Sequence, residues 1–149
     1  MKIQPQRRKP RGFTLAEIVI ATALSAMTIG ASIYGYIMSA KRAEWSGYSL
    51  AAQSLAVQKL EQARACKWDP MATPPFNVDL LVSTNFPMET NILDIPITGT
   101  NIVWATNFTT ITTIQTNPWL KMIRVDCVWN FNGKGPFTNT IATYRGPDQ

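Results

Sequence analysis

The chain has 149 residues, a formal net charge of +5 and no histidine, which leaves room for one small domain and removes the commonest general base and metal ligand. The charge is not a nucleic-acid footprint. Five of the 14 Lys and Arg residues precede Gly12, and the nine that follow balance nine Asp and Glu, so no basic patch remains to meet phosphates.

The catalytic inventory is equally thin. Cys66 and Cys127 lie far apart and form no Cys-x-x-Cys pair, and there is neither a Gly-rich phosphate loop nor a Gly-x-Ser-x-Gly elbow. Asp69, Asp79, Asp94, Asp126 and Asp148 are scattered and read as solvated turn or strand acids. The expectation is a protein that is not an enzyme and carries no cofactor and no metal.

The amino-terminal segment carries Lys2, Arg7, Arg8, Lys9 and Arg11 with no acid, a pattern that keeps it on the cytoplasmic side of a membrane. From Phe13 to Ala40 follow 28 residues whose only charge is Glu17. About 20 apolar residues suffice to cross a bilayer, so the run predicts a single span with everything after Ala40 exported. A secretory signal peptide shares the basic start, but its apolar region is shorter, about 7–15 residues, and an acid near its beginning is out of place. An ionisable group inside a membrane costs on the order of 2.5–3.5 kcal/mol on insertion scales, which makes Glu17 a candidate functional residue whose partner has to be named.

Gly12-Phe13-Thr14-Leu15-Ala16-Glu17-Ile18-Val19 closely resembles the class III leader of type IV prepilins and type II secretion pseudopilins. The resemblance implies that residues 1–12 are a leader cut after Gly12 by a prepilin peptidase on the cytoplasmic face, with N-methylation of the new Phe13 terminus. It implies an assembly role for Glu17, paired with the free amine of a neighbouring subunit. The implied partners are other pilin or pseudopilin subunits and an inner-membrane assembly platform. The implied location is the inner membrane and then a filament or pseudopilus. Many major pilins have a proline in the apolar half of the helix; this chain has Gly30 and Gly35 instead, which either soften the helix or serve close packing between spans.

Residues 41–66 contain no proline and are rich in Ala, Leu, Gln, Glu and Lys, all good helix formers. Tyr48, Ala52, Leu55, Ala56, Leu60, Ala63 and Cys66 fall on one broad face and Ser54, Gln58, Glu61 and Arg64 on the other, so one side needs cover. Together with the span, residues 13–40, this amphipathic half predicts one helix from Phe13 to about Cys66, roughly 80 Å at 1.5 Å per residue. Lys67-Trp68-Asp69-Pro70 ends it. Residues 67–100 read as a proline-containing variable loop with short apolar pieces such as Val78–Val82 and Ile92–Ile97 and one small strand, and as the surface for subunit-specific contacts.

Residues 101–149 carry β periodicity. Ile102–Thr116 predicts one long strand or two, and Asn117-Pro118 a turn. In Leu120–Trp129, Ile123, Val125, Cys127 and Trp129 alternate with Arg124 and Asp126. Asn132–Pro136 predicts a loop and Phe137–Tyr144 the last strand. Trp104 and Trp129 fit core positions; Trp45, Trp68 and Trp119 sit near element ends. The expected fold is α+β, a long helix whose amphipathic half is covered by a small antiparallel meander.

Ala51–Glu61, Ile123–Trp129 and the closing Thr143-Tyr144-Arg145 resemble the I-type minor pseudopilins and, equally, the V-type minor pilins, which prime filament assembly at a tip complex. Calcium binding, known in major pseudopilins, finds no ligand cluster in this sequence. Both cysteines follow the apolar patterning, which permits a disulfide between Cys66 and Cys127 in an oxidising compartment and equally two buried free thiols. The competing reading of the whole chain is a single-pass membrane-anchored adhesion or receptor module that never joins a filament.

Overall fold

A helix start needs acceptors for its first N–H groups, and Thr14 and Glu17 supply them. Helix α1 therefore begins at Leu15 and runs to Arg64, two residues inside each predicted end. The computed structural model describes residues 12–71, 79–93 and 102–148, and the chain divides into two units between Arg42 and Ala43. The first unit, as far as it is described, is the apolar part of α1. Every described side chain in it except Met38 is exposed.

The second unit joins Ala43–Arg64 of α1 to four strands: β1 (Glu89–Ile92), β2 (Trp104–Thr116), β3 (Trp119–Phe131) and β4 (Lys134–Arg145). They form one antiparallel sheet in the order β1-β2-β3-β4. The fold is thus the expected α+β layout, a long helix packed on an antiparallel meander. Tyr48, Ala52, Ala56, Leu60 and Ala63 are buried, five of the seven residues assigned to the covered face, and Leu55 packs partly against the core.

The core sits on central strand β3, whose odd residues from Lys121 to Phe131 are all buried. Trp129 lies opposite Ala105 on one side and Phe137 on the other. Its ring stands 5.1 Å from Phe137, 6.0 Å from Trp45 and 6.3 Å from Tyr48. Three alanines on the helix and one on β2 make the room for these rings, as close packing of a helix on a sheet requires.

Several expectations are corrected. Trp104, assigned to the core, is 55% exposed. In β2 the small residues Ala105 and Asn107 face inward, and the alternation of a strand then sends Trp104 and Phe108 outward. Trp68, placed at an element end, is 1% exposed because the chain after α1 folds back under the sheet, bridged to Asp79. The expected loop Asn132–Pro136 is a two-residue turn. Asn132 and Gly133 have φ of 48° and 70°, both in the left-handed region that an Asn-Gly hairpin turn uses, and β4 starts at Lys134.

The small strand of the variable loop is Glu89–Ile92, which reaches the second apolar piece at Ile92. It follows a short turn, Ser83–Asn85, and Lys59 of the helix pairs with its Glu89. Residues 78 and 94–97 of the expected pieces lie outside the described residues. Ile102–Thr116 resolves as one strand from Trp104, with a bulge between Thr113 and Gln115.

Asn107 is 2% exposed, and neither its Nδ2 nor its Oδ1 has a hydrogen-bond partner among the described residues. A buried unpaired amide costs about 1–3 kcal/mol. Asn107→Leu keeps the heavy-atom skeleton and removes that cost, so it is expected to stabilise the full-length protein by on the order of 1 kcal/mol. Chemical denaturation in detergent, followed by tryptophan fluorescence, reads the change; a midpoint below that of the parent contradicts it.

Candidate functional site

Thr14-x-x-Glu17 is a capping box, a reciprocal arrangement that satisfies two orphan donors at a helix start. Glu17 Oε2 accepts the Thr14 N–H at 2.8 Å and the Thr14 hydroxyl at 2.9 Å, while Thr14 Oγ1 accepts the Glu17 N–H at 3.3 Å. The acid singled out by its position in an apolar run therefore holds the first turn of its own helix. Its carboxylate stays exposed, and so do Gly12 and Phe13 immediately before it. The remainder of the expected leader, residues 1–11, lies outside the described residues.

The segment is long and apolar enough to cross a membrane, and none of it is buried within the chain. Hydrocarbon offers no hydrogen bonds, so polar groups inside a span must be satisfied within the protein. The hydroxyls here follow that rule: Thr22 donates to the Ile18 and Val19 carbonyls, Ser25 to Ala21, Thr28 to Ser25 and Ser32 to Thr28, at 2.8–3.0 Å. Ile18, Val19, Ile20, Leu24, Met27, Ile29 and Ile33 all present their side chains outward. A Cβ at Gly30 or Gly35 would meet nothing within 4 Å, so both helix surfaces are open to a neighbouring span.

The second unit holds two polar arrangements that the scattered-acid reading missed. The Lys121 ammonium, on a side chain 7% exposed, donates to Asp79 Oδ1 at 2.9 Å, Oδ2 at 2.7 Å and the Leu81 carbonyl at 2.7 Å. It also stands 4.9 Å from the centre of the Trp68 ring. All three of its donors are used, as a buried cation requires. The arrangement pins the chain around Asp79 to β3. Lys121 shares the parity of Ile123, Val125, Cys127 and Trp129, so its inward direction was readable from the strand alternation.

The other arrangement ties the carboxyl-terminal segment to the end of the helix. Asp148 Oδ2 accepts the Trp68 N–H at 2.8 Å, and the Asp148 N–H donates back to the Trp68 carbonyl at 2.8 Å. Arg145 pairs with Asp148 at 2.5 Å and donates to the Cys66 carbonyl. That carbonyl lies two residues past the end of α1. The Trp68 N–H, seconded by the Arg145 guanidinium, holds the Asp148 carboxyl below the usual carboxylate range.

Both cysteines are free thiols. Cys66, half-buried, donates to the Gln62 carbonyl, and Cys127 is buried on β3. Burial pushes the Cys127 thiol up to about 11. Among the described residues no group of three or more His, Cys, Asp or Glu side chains could hold a metal ion. Comparison of the chain with protein-family models, with curated proteins and with solved structures gives no match.

Two expectations follow. In the folded, unreduced protein at pH 8 a thiol reagent should label Cys66 alone, because only the thiolate reacts and Cys127 is both buried and protonated; denaturation should bring the count to two. A count of zero in denaturant would show a Cys66–Cys127 bridge instead.

Because the folded-state pKa of Asp148 is lowered, its stabilising effect is complete above the ordinary carboxylate value of about 3.9 and is lost as pH falls through the lower folded value. The stability difference between the parent and Asp148→Asn should therefore be constant above about pH 5 and shrink towards acid. A difference that grows on acidification contradicts the assignment.

Proposed function

We propose that this chain is a minor pilin or pseudopilin: a membrane-inserted subunit, trimmed between Gly12 and Phe13, methylated on Phe13 and recruited through its amino-terminal helix into a type IV pilus or type II secretion pseudopilus. The observation that carries the reading is the placement of Glu17 at the head of a helix whose first part is apolar, unburied within the chain and self-satisfied in its hydroxyl hydrogen bonds. Such a segment is suited first to a bilayer and then to packing among other helices. Its one acid sits where a newly freed amine of a neighbour would arrive.

The exported unit supports the same reading. The packing of Ala43–Arg64 against a four-stranded meander is the layout that the leader resemblance implies. The capping box supplies a role for Thr14 that the sequence motif contains but composition does not show. In an isolated subunit Glu17 accepts from Thr14; in an assembly the same carboxylate is available to a cation from the next chain, and opposite charges attract far more strongly at low dielectric than in water.

The reading separates processing from assembly. Glu17→Ala should be cleaved and inserted as the parent is, since the helix loses only a cap worth about 0.5–2 kcal/mol, yet its recruitment into the filament or tip complex should fall at least tenfold by crosslinking. Recruitment at the parental level would refute the role of Glu17. A membrane-anchored adhesion module would give neither cleavage nor recruitment in any variant.

A further inference from the structure

The polar side chains of the apolar segment change their behaviour part-way along it. From Thr14 to Ser32 every serine and threonine hydroxyl donates to an acceptor in its own helix. Beyond Ser32 this stops. The hydroxyls of Tyr34, Tyr36 and Ser39, the Lys41 ammonium and the Arg42 guanidinium have no side-chain hydrogen bond or ion pair among the described residues. Tyr34 and Tyr36 are 67% and 77% exposed, and Lys41 and Arg42 are exposed as well. An unpaired polar group is costly in hydrocarbon, so in the proposed span the helix meets a polar medium between Ser32 and Lys41.

The length of the segment gives the same boundary. Ile18–Ala40 carries no charge, with Glu17 before it and Lys41-Arg42 after it. From Glu17 to Lys41 the helix rises about 36 Å. A hydrocarbon core is about 30 Å thick, and about 40–45 Å with its headgroup layers. With Glu17 at the cytoplasmic boundary of the core, Lys41 stands about 6 Å past the opposite one, at the depth of the headgroups. Tyr34 and Tyr36 lie about 26 and 29 Å along the same axis, at the boundary itself, where a ring with a polar tip is favoured. Side chains on a helix lean toward its amino terminus, so the charged ends of Lys41 and Arg42 lean back toward the bilayer.

We propose that Lys41 and Arg42 form a phospholipid site in the leaflet on the exported side, taking the phosphate of an anionic headgroup. The inference rests on the reading of the chain as a membrane-inserted subunit and names what its helix binds in the bilayer. Charge decides the occupant: two adjacent cations face no acid within the segment, since Glu17 lies at its other end. The guanidinium presents a planar fork that matches two phosphate oxygens, and the ammonium adds a point charge. An acidic side chain of another subunit would neutralise the cations but would leave the deeper tyrosine hydroxyls unmet. Lipid supplies both, with phosphate at the level of the cations and ester oxygens at the level of the rings. The contact fixes the depth of the span and places Glu17 at the opposite boundary.

The test is native mass spectrometry of the full-length chain, purified from its own membranes and exchanged into nanodiscs with equal amounts of phosphatidylglycerol and phosphatidylcholine. The parent should retain phosphatidylglycerol over phosphatidylcholine at least tenfold. Lys41→Gln combined with Arg42→Gln should lower that ratio at least fivefold, since each basic residue near an anionic surface contributes about fivefold. Lys41→Arg combined with Arg42→Lys should keep it. Equal thermal stability of the variants shows that the fold is intact.

A parent with no preference, or a glutamine variant that keeps the parental ratio, overturns the inference. A parent that retains a second protein subunit in place of lipid assigns the cations to a protein acid and overturns the choice of partner. The same spectra weigh the chain. A parent that still carries residues 1–12 contradicts the functional reading, while the ratio between parent and glutamine variant still decides the lipid site, because the leader is then common to both.

Discussion

In the proposed reading the organising constraint is that one continuous helix has to satisfy two solvents. From Leu15 the side chains are apolar and outward, and each hydroxyl from Thr22 to Ser32 returns to a carbonyl of its own helix, because hydrocarbon satisfies no polar group. From Tyr48 onward the same helix becomes amphipathic. There it buries one stripe, Tyr48-Ala52-Ala56-Leu60-Ala63, against β3 and leaves Ser54, Gln58 and Glu61 exposed. The sheet exists to cover that stripe. The alanines set how closely the sheet approaches, and Trp129 fills the space they leave.

Glu17 belongs to the first of these environments and carries two jobs in the proposed reading. As a capping residue it closes the first turn on Thr14, which is a local and self-contained role. As an assembly residue it offers a carboxylate to a neighbour. The two are compatible because a carboxylate has lone pairs for several donors, and the exposed side of Glu17 is the side facing out of the helix. Capping alone accounts for an acid at a helix start, though a neutral acceptor would serve there too; an ionisable group at the head of a membrane segment is the feature that calls for a partner.

Much of this architecture was legible in the sequence. The 3.6-residue stripe on the helix and the alternation along Ile123–Trp129 were strong, uninterrupted patterns, and both faces lie where the patterns put them. Trp104 shows where hydrophobicity misleads. Three of the four bulky residues of β2, Trp104, Phe108 and Ile114, lie outward, because Ala105 opposite Trp129 and Asn107 opposite Cys127 are small enough for the crowded side, and only Ile111 packs partly on the core. Only the packing of the neighbouring strand decides that register. Trp68 and Asp148 were illegible for another reason: 80 residues separate the two ends of that contact. Thr14-x-x-Glu17, Asn132-Gly133 and the inward parity of Lys121, by contrast, were local signals that a closer reading of caps, turns and alternation would have used.

The central claim is that residues 1–12 are a leader removed when the chain becomes a subunit. Intact mass spectrometry of the protein isolated from membranes that contain its own peptidase tests this most directly. The account predicts a single species beginning at Phe13, with one methyl group added to its terminal amine and residues 14–149 intact. A chain that retains residues 1–12, or one cut within or after the apolar segment as a signal peptide would be, contradicts it.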